Sequence, residues 1–413
     1  MQRQFLKFTL FFNLYACIQG NLFAYTAYFS SNSNSNVTVI NTTDNSTITT
    51  ISEVPSAYSL AITPNGRYLY VSGGASPHIY KIDTSTNTII YTINTPNPRQ
   101  IATSPDGQSL YVTNALSNTV KIYSTSTNTL SSFFDIGEPS ETIAINPAGT
   151  LAYIGTPNSN TIYIVNLDNN FLTVHVTNPH SVNNMIFSTD GTKVYVASSS
   201  SSENDPVYIY DTSNHTIFSD YISVGGDPSS MTLTPDGKFL YVANQNNNNV
   251  SVINTQTDTV TNTISLATGQ FPDGIAITPD GNTLYTANYT TGNSSILNAT
   301  NNTLTANISL TTDLTDVIIA PLATLVSLSG SQQINDFGVR YELYNTLNWT
   351  SSITPATIGY NIYRNGTLIG STTGINETTY VDHNREEGVS YQYSVRSRAV
   401  NGDLSYPVSV TVE

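Results

Sequence analysis

A turn of the Pro-Asp-Gly type recurs along this chain every 41 to 46 residues, at Pro64-Asn65-Gly66, Pro105-Asp106-Gly107, Pro147-Ala148-Gly149, Thr189-Asp190-Gly191, Pro235-Asp236-Gly237 and Pro279-Asp280-Gly281. A fixed period of that length holds four short strands and their turns, the content of one propeller blade, and a repeat that small buries its apolar faces only against its neighbours. Each turn joins two alternating stretches, as where Ile275-Ala276-Ile277 leads in and Leu284-Tyr285-Thr286-Ala287-Asn288 leads out. Glycine supplies the positive φ at the tip, and the flanking β-branched and aromatic residues suit a pleated surface. A second hairpin follows in each unit, as in Val250-Ser251-Val252-Ile253 and Val260-Thr261-Asn262-Thr263-Ile264.

The second strand of the unit occurs seven times, and every copy carries a tyrosine: Tyr28, Tyr70, Tyr111, Tyr153, Tyr195, Tyr241 and Tyr285. The N-terminal unit lacks a first strand, whereas Asp316-Val317-Ile318-Ile319-Ala320-Pro321 is a first strand with no successor. The sequence therefore predicts an all-β fold, a seven-bladed β-propeller over 25–321 whose ring is closed by residues 316–321 pairing into the first blade.

Leu110-Tyr111-Val112-Thr113-Asn114, with Leu240-Tyr241-Val242-Ala243-Asn244 and Val252-Ile253-Asn254-Thr255, resembles the repeats of the YVTN β-propeller family. The resemblance implies the propeller fold; its members include surface-layer and periplasmic binding proteins, and related propellers include lactonases. After a short linker at 322–325 the period stops, and residues 326–413 read as an immunoglobulin-like β-sandwich. This segment resembles a fibronectin type III domain, which implies Trp349 as a buried early-strand aromatic and Tyr391 as the tyrosine of a corner motif. Asn401-Gly402-Asp403 stands where some such domains carry Arg-Gly-Asp, so integrin binding is not inferred.

Residues 1–24 pair Arg3 and Lys7 with an apolar run from Phe8 to Ile18, the pattern of an export signal, which places the protein as secreted, periplasmic or on the cell surface. The one cysteine, Cys17, lies in this leader, with lipid anchoring there as a second reading; the chain beyond it has no cysteine to form a disulfide. No later segment is long and apolar enough to be read as a transmembrane helix. With 28 acidic against 13 basic residues the net charge is −15, which repels phosphate backbones, so nucleic acid is not an expected partner.

Ligands of a propeller sit at the channel mouth, where the loops entering each first strand converge. Aligning on the proline that opens each crossing puts Ser56, Arg99, Ser140, His180, Ser229, Asp273 and Thr315 at equivalent positions, with Glu141 and Asp316 beside them. Arg99, Glu141, His180, Asp227, Asp273 and Asp316 form the candidate ligand ring. Glu141, Asp227 and Asp273 also leave room for a calcium ion, which takes about six to eight oxygen ligands. The histidines His78, His175, His180, His215 and His383 fall in different units with no paired ligand spacing, and Trp349 is the one tryptophan, outside the ring. A propeller built on a multi-histidine copper cluster is thereby excluded, and one with repeated tryptophans has no support in the sequence. The expected function is non-catalytic binding of a protein or carbohydrate-like polymer. The alternatives are a lactonase-like hydrolase, working through His180 with Glu141 or Asp273, and a surface-layer structural component.

Overall fold

A computed structural model describes residues 25–156, 159–200, 204–218, 221–320, 328–336, 341–349, 357–374, 377–383, 385–386, 389–399 and 408–412. The leader expected over 1–24, the linker and the Asn401-Gly402-Asp403 segment lie outside the described residues. Every regular element among the described residues is a strand.

Seven antiparallel sheets follow one another as blades. Blades 2, 3 and 4 have innermost strands Leu60–Ile62, Pro98–Thr103 and Thr142–Ile145; blades 5, 6 and 7 have Ser181–Phe187, Pro228–Leu233 and Pro272–Ile277. In each, three further strands follow outward in chain order, and in blade 5 the outer strand is two short pieces, Thr216–Ile217 and Ile222–Ser223. Blade 1 is assembled from both ends of the repeat region. Its innermost strand, Leu314–Ala320, pairs antiparallel with Thr26–Ser31, Tyr28 facing Ile318, and leaves no unpaired blade edge at the seam.

Each junction between blades has its own buried apolar cluster. Phe29, Ile40, Val317 and Ile319 of blade 1 meet Tyr285, Ala287 and Ile296 of blade 7, and the same packing recurs at the other six junctions. The second strand of each blade supplies much of these faces: it is buried on both sides beyond its first residue, so Leu, Tyr and Val recur along it.

The repeated tyrosine crosses these junctions. Its hydroxyl meets a turn residue in the next blade: Tyr28 Oη donates to Asn87 Oδ1 at 2.9 Å, Tyr241 Oη to Asn302 Oδ1 at 2.9 Å, and Tyr285 Oη to Asn45 Oδ1 at 2.7 Å. Tyr195 Oη reaches Asp258 Oδ1 at 3.3 Å, and Tyr153 Oη lies 2.7 Å from His215 Nδ1. All five turn residues hold left-handed backbone, φ 52 to 60°, which Asn, Asp and His tolerate better than most side chains. Such turns lie beside the Pro-Asp-Gly turns, as where Thr125 Oγ1 donates to Gly107 O at 2.6 Å, and a Cβ on Gly107 or Gly281 would come within 3.1 or 3.2 Å of the turn proline of the preceding blade.

Beyond the ring, strands Leu328–Asp336, Tyr341–Trp349 and Thr379–Asp382 form one sheet, and Thr367–Ser371, Thr357–Arg364, Tyr391–Ala399 and Val408–Val412 another. Leu347 and Trp349 of the first pack on Tyr360, Ile362, Tyr393 and Val395 of the second, with Trp349 and Tyr360 edge to face at 5.4 Å.

Candidate functional site

The innermost strands do not run straight into the channel. In blades 1, 3, 5, 6 and 7 the pairing with the second strand slips by one residue near the strand's entry, a β-bulge at Thr315, Arg99-Gln100, Asn183, Ser229 and Asp273. A bulge leaves an extra residue outside the ladder and turns it toward the strand's open side, here the channel. The residue before each bulge is buried and fixes the register: Leu314, Pro98, Val182, Pro228 and Pro272, with Ala57 and Ser140 in the equivalent places of blades 2 and 4.

Two stacked rings result. The outer ring is Tyr58, Arg99, Glu141, Asn183, Ser229, Asp273 and Thr315, and the inner ring is the residue after each. Most of these positions line a cavity of about 290 Å³, to which Asp227 and Gln245 also contribute. The proline alignment places the ring correctly in blades 1, 3, 6 and 7, at Thr315, Arg99, Ser229 and Asp273, but misses it in blades 2, 4 and 5. Pro55, Pro139 and Pro179 precede the buried anchors Ala57, Ser140 and Val182 by two, one and three residues, because their entry loops differ in length. Tyr58, Glu141 and Asn183 therefore stand where Ser56, Ser140 and His180 are expected.

Of the six candidate residues, Glu141, Asp227, Asp273 and Asp316 line the cavity. Arg99 stands beside it, 3.7 Å from Glu141 and with its guanidinium over the Tyr58 ring at 5.3 Å. His180 is elsewhere: it stacks on Tyr208 of blade 5, with Nδ1 2.7 Å from the Tyr208 hydroxyl. No Lys, Arg or His lines the cavity, and among the described residues no three carboxylates or imidazoles group as a metal-ligand set. Glu141, Asp227 and Asp273 thus do not come together as the calcium cage read from the sequence.

The four carboxylates are held differently. Asp316 Oδ2 accepts the Leu60 amide of blade 2 at 2.8 Å and Oδ1 accepts its own neighbour Val317 N at 2.8 Å. Gln100 makes the corresponding inter-blade bond, Oε1 accepting Ile143 N at 2.7 Å, so a neutral amide fills the same lacing role. Asp227 Oδ1 accepts Ser199 Oγ at 2.6 Å and Asn183 Nδ2 at 3.2 Å. Glu141 has Arg99. Asp273 makes no hydrogen bond or ion pair to any described residue and is partly buried in the wall, open to the cavity.

Gly274 brings that wall close. A side chain there would meet Asp316 Cα at 2.8 Å, so the strands of blades 7 and 1 touch backbone to backbone. Burial, then the charges of Asp316 and Asp227, push the Asp273 carboxyl up to about 7. Burial also raises Asp316, against the pull of its two amide donors. Withdrawal from water and like charges both favour the protonated acid. The Tyr58 hydroxyl is raised as well, first by burial and then by Asp273.

Models of seven-bladed lactonase propellers match residues 24–140, 143–265 and 194–313, and the chain belongs to the family described as Lactonase, 7-bladed beta-propeller. Among solved structures, it is similar to hydrazine synthase of Kuenenia stuttgartiensis, with 18% identity and a TM-score of 0.60 over 66% of this chain and 91% of that one. It is also similar to a functionally unknown protein of Desulfotomaculum acetoxidans, with 16% identity and a TM-score of 0.63 over 72% of this chain and 99% of that one. At these identities the likeness is one of fold. No curated protein matches significantly.

Sequence reasoning overlooked Tyr58, Asn183, Gln100 and Gln245. A signal for two of them was present. The outer-ring residue lies 12 positions before the repeat tyrosine in blades 2 to 7: Tyr58 before Tyr70, Arg99 before Tyr111, Glu141 before Tyr153, Asn183 before Tyr195, Ser229 before Tyr241 and Asp273 before Tyr285. Counting from the tyrosine, which is locked in the ladder, avoids the variable entry loops.

Proposed function

We propose that this chain is an exported, non-catalytic binding protein that takes a saccharide-like ligand, such as the end of a carbohydrate polymer, at the mouth of the propeller channel. The observation that carries this reading is the lining of the cavity. Two rings of hydroxyl, amide and carboxylate groups converge there with one aromatic ring, Tyr58, among them. Such a set donates to and accepts from a polyol in several directions, while an aromatic face suits the apolar side of a sugar ring. The repeated tyrosines support placing the chain with YVTN-type binding and surface propellers. Strand order, Trp349, and the 3.3 Å bond from Glu386 N to Tyr391 Oη support a fibronectin type III-like second domain, acting as spacer or second contact.

Lactone hydrolysis is the second reading, favoured by the family and by Asp273, whose carboxyl near neutrality suits a general acid or base. Calorimetry with neutral and charged oligosaccharides, run beside a panel of five- and six-membered lactones, separates the two. Saturable saccharide binding without lactone turnover supports the binding protein. Turnover that Asp273→Asn abolishes supports the hydrolase.

A further inference from the structure

The cavity carries more negative charge than its own protein groups neutralise. Among the described residues Arg99 is the one cation beside it, and it is engaged with Glu141. Asp316 is used in lacing blade 1 to blade 2, and Asp227 is held by Ser199 and Asn183. Asp273 remains, projected from a bulge into the cavity with no partner among the described residues. A half-buried carboxylate among other acids and without a protein partner is costly to ionise, and is stabilised by a proton or by a cation that enters with the ligand.

A bare metal ion finds no ligand set here among the described residues. An organic ammonium is different, since its three donors need only one anion and nearby neutral acceptors. Ser229 and Thr315 occupy the bulge positions on either side of Asp273, in blades 6 and 1. On the strength of the saccharide reading above, we propose that the ligand is an amino sugar or amino-polyol whose free ammonium is anchored on Asp273 in the channel-mouth cavity.

Binding is then an exchange of cations. In the empty cavity below neutral pH, Asp273 carries a proton; the arriving ammonium displaces it, the carboxyl O–H bond breaks, and the proton leaves to solvent. The groups facing Asp273 from the other blades are Asp316, Asp227, Glu141, Arg99 and Tyr58, while blade 5 presents the neutral Asn183 and Asn184. Three of these are acidic and only Arg99 is basic, so none of them but Arg99 opposes an incoming cation, and Arg99 is held by Glu141.

The test is calorimetry at pH 6 on the full chain, using the glucosamine tetramer, its fully N-acetylated counterpart and the glucose tetramer. Repeating the titration in buffers of different ionisation enthalpy counts the protons exchanged. The expected result is that the glucosamine tetramer binds at least about 10-fold more tightly than either neutral tetramer and releases a proton. In Asp273→Asn both the preference and the proton release disappear, with thermal melting of the variant checking that it is folded. Equal binding of all three tetramers overturns the ammonium anchor and leaves the saccharide site standing. Binding of none of the three overturns both. Preferential binding of the glucosamine tetramer by wild type without proton release also overturns the anchor at Asp273, and this readout does not depend on any variant folding.

Discussion

The hydroxyl of Tyr285 donates to Asn45 Oδ1 at 2.7 Å across 240 residues of chain, fastening blade 7 to blade 1. Asn45 holds φ 60° in its turn. It is therefore chosen twice, for its backbone and for its acceptor. Asn45→Gly keeps the turn and loses only the acceptor, which should cost about 1 kcal/mol; Asn45→Ala adds the strain of left-handed backbone, for about 2 to 3 kcal/mol in total. Urea unfolding of the two variants checks this, and equal losses would show that the backbone contributes nothing.

Where blades 1, 2 and 7 use asparagine at this turn, blade 5 uses His215, whose Nδ1 lies 2.7 Å from Tyr153 Oη. Burial lowers the imidazole below its ordinary value, partly offset by Asp211. The native state thus binds its proton less readily than the unfolded chain. This contribution is complete above the unfolded value near 6.5, and stability is lost as pH falls from there through the folded value. His215→Asn should flatten the dependence of melting temperature on pH between about 5 and 7. A variant with the same slope as wild type would show that His215 is not its source.

The ring was legible because its cause is local and repeated: turn chemistry fixes each hairpin, and seven tyrosines mark the second strands. The carboxylates of the cavity were legible as residue types near an entry loop. Their partners were not. Asp316 reads in the sequence as a member of the candidate ligand ring, yet its carboxylate is committed to Leu60 N, 256 residues away in the chain. His180 reads as a channel residue because a proline precedes it, but the entry loop of blade 5 is longer and sends it to Tyr208. Bulges decide which residues face the channel, and a bulge depends on pairing with a second strand, which no pattern within the first strand displays.

In the second domain, Asp382 is buried with Arg364 Nη1 at 3.0 and 2.9 Å from its two oxygens, and Tyr393 Oη donates to it at 2.6 Å. Removing the acid takes the carboxylate from the part-exposed Arg364 guanidinium and the acceptor from the Tyr393 hydroxyl, which Asn345 Nδ2 still reaches at 2.9 Å, so Asp382→Ala should cost about 2 to 3 kcal/mol. Trp349, the one tryptophan, packs in that core and reports on this domain alone. Its fluorescence transition should move to lower urea, while the tyrosine-rich propeller keeps its far-ultraviolet transition. Coincident shifts of both signals would show that the two cores unfold together.

Asp273 should make the propeller less stable as pH rises. Its carboxyl is raised to about 7 by burial and by Asp316 and Asp227, whereas in the unfolded chain it titrates near 4. Between these values the native state holds a proton that the unfolded state has lost, so the stability contribution is complete below about 4, falls through this window and is absent above about 7. Asp273→Asn removes the penalty. Water in the cavity and the coupling to Asp316 reduce the gain, which should be on the order of 1 kcal/mol at pH 8, or a few degrees in melting temperature, and near zero at pH 4. Thermal melts of wild type and variant at the two pH values give the comparison. A variant destabilised equally at both would mean that Asp273 is held by partners in the folded state, against the unpaired carboxylate on which ligand anchoring depends. A gain confined to high pH is what a site costs when it keeps an acid waiting for a cation, and residues selected for binding are commonly unfavourable to the fold that carries them.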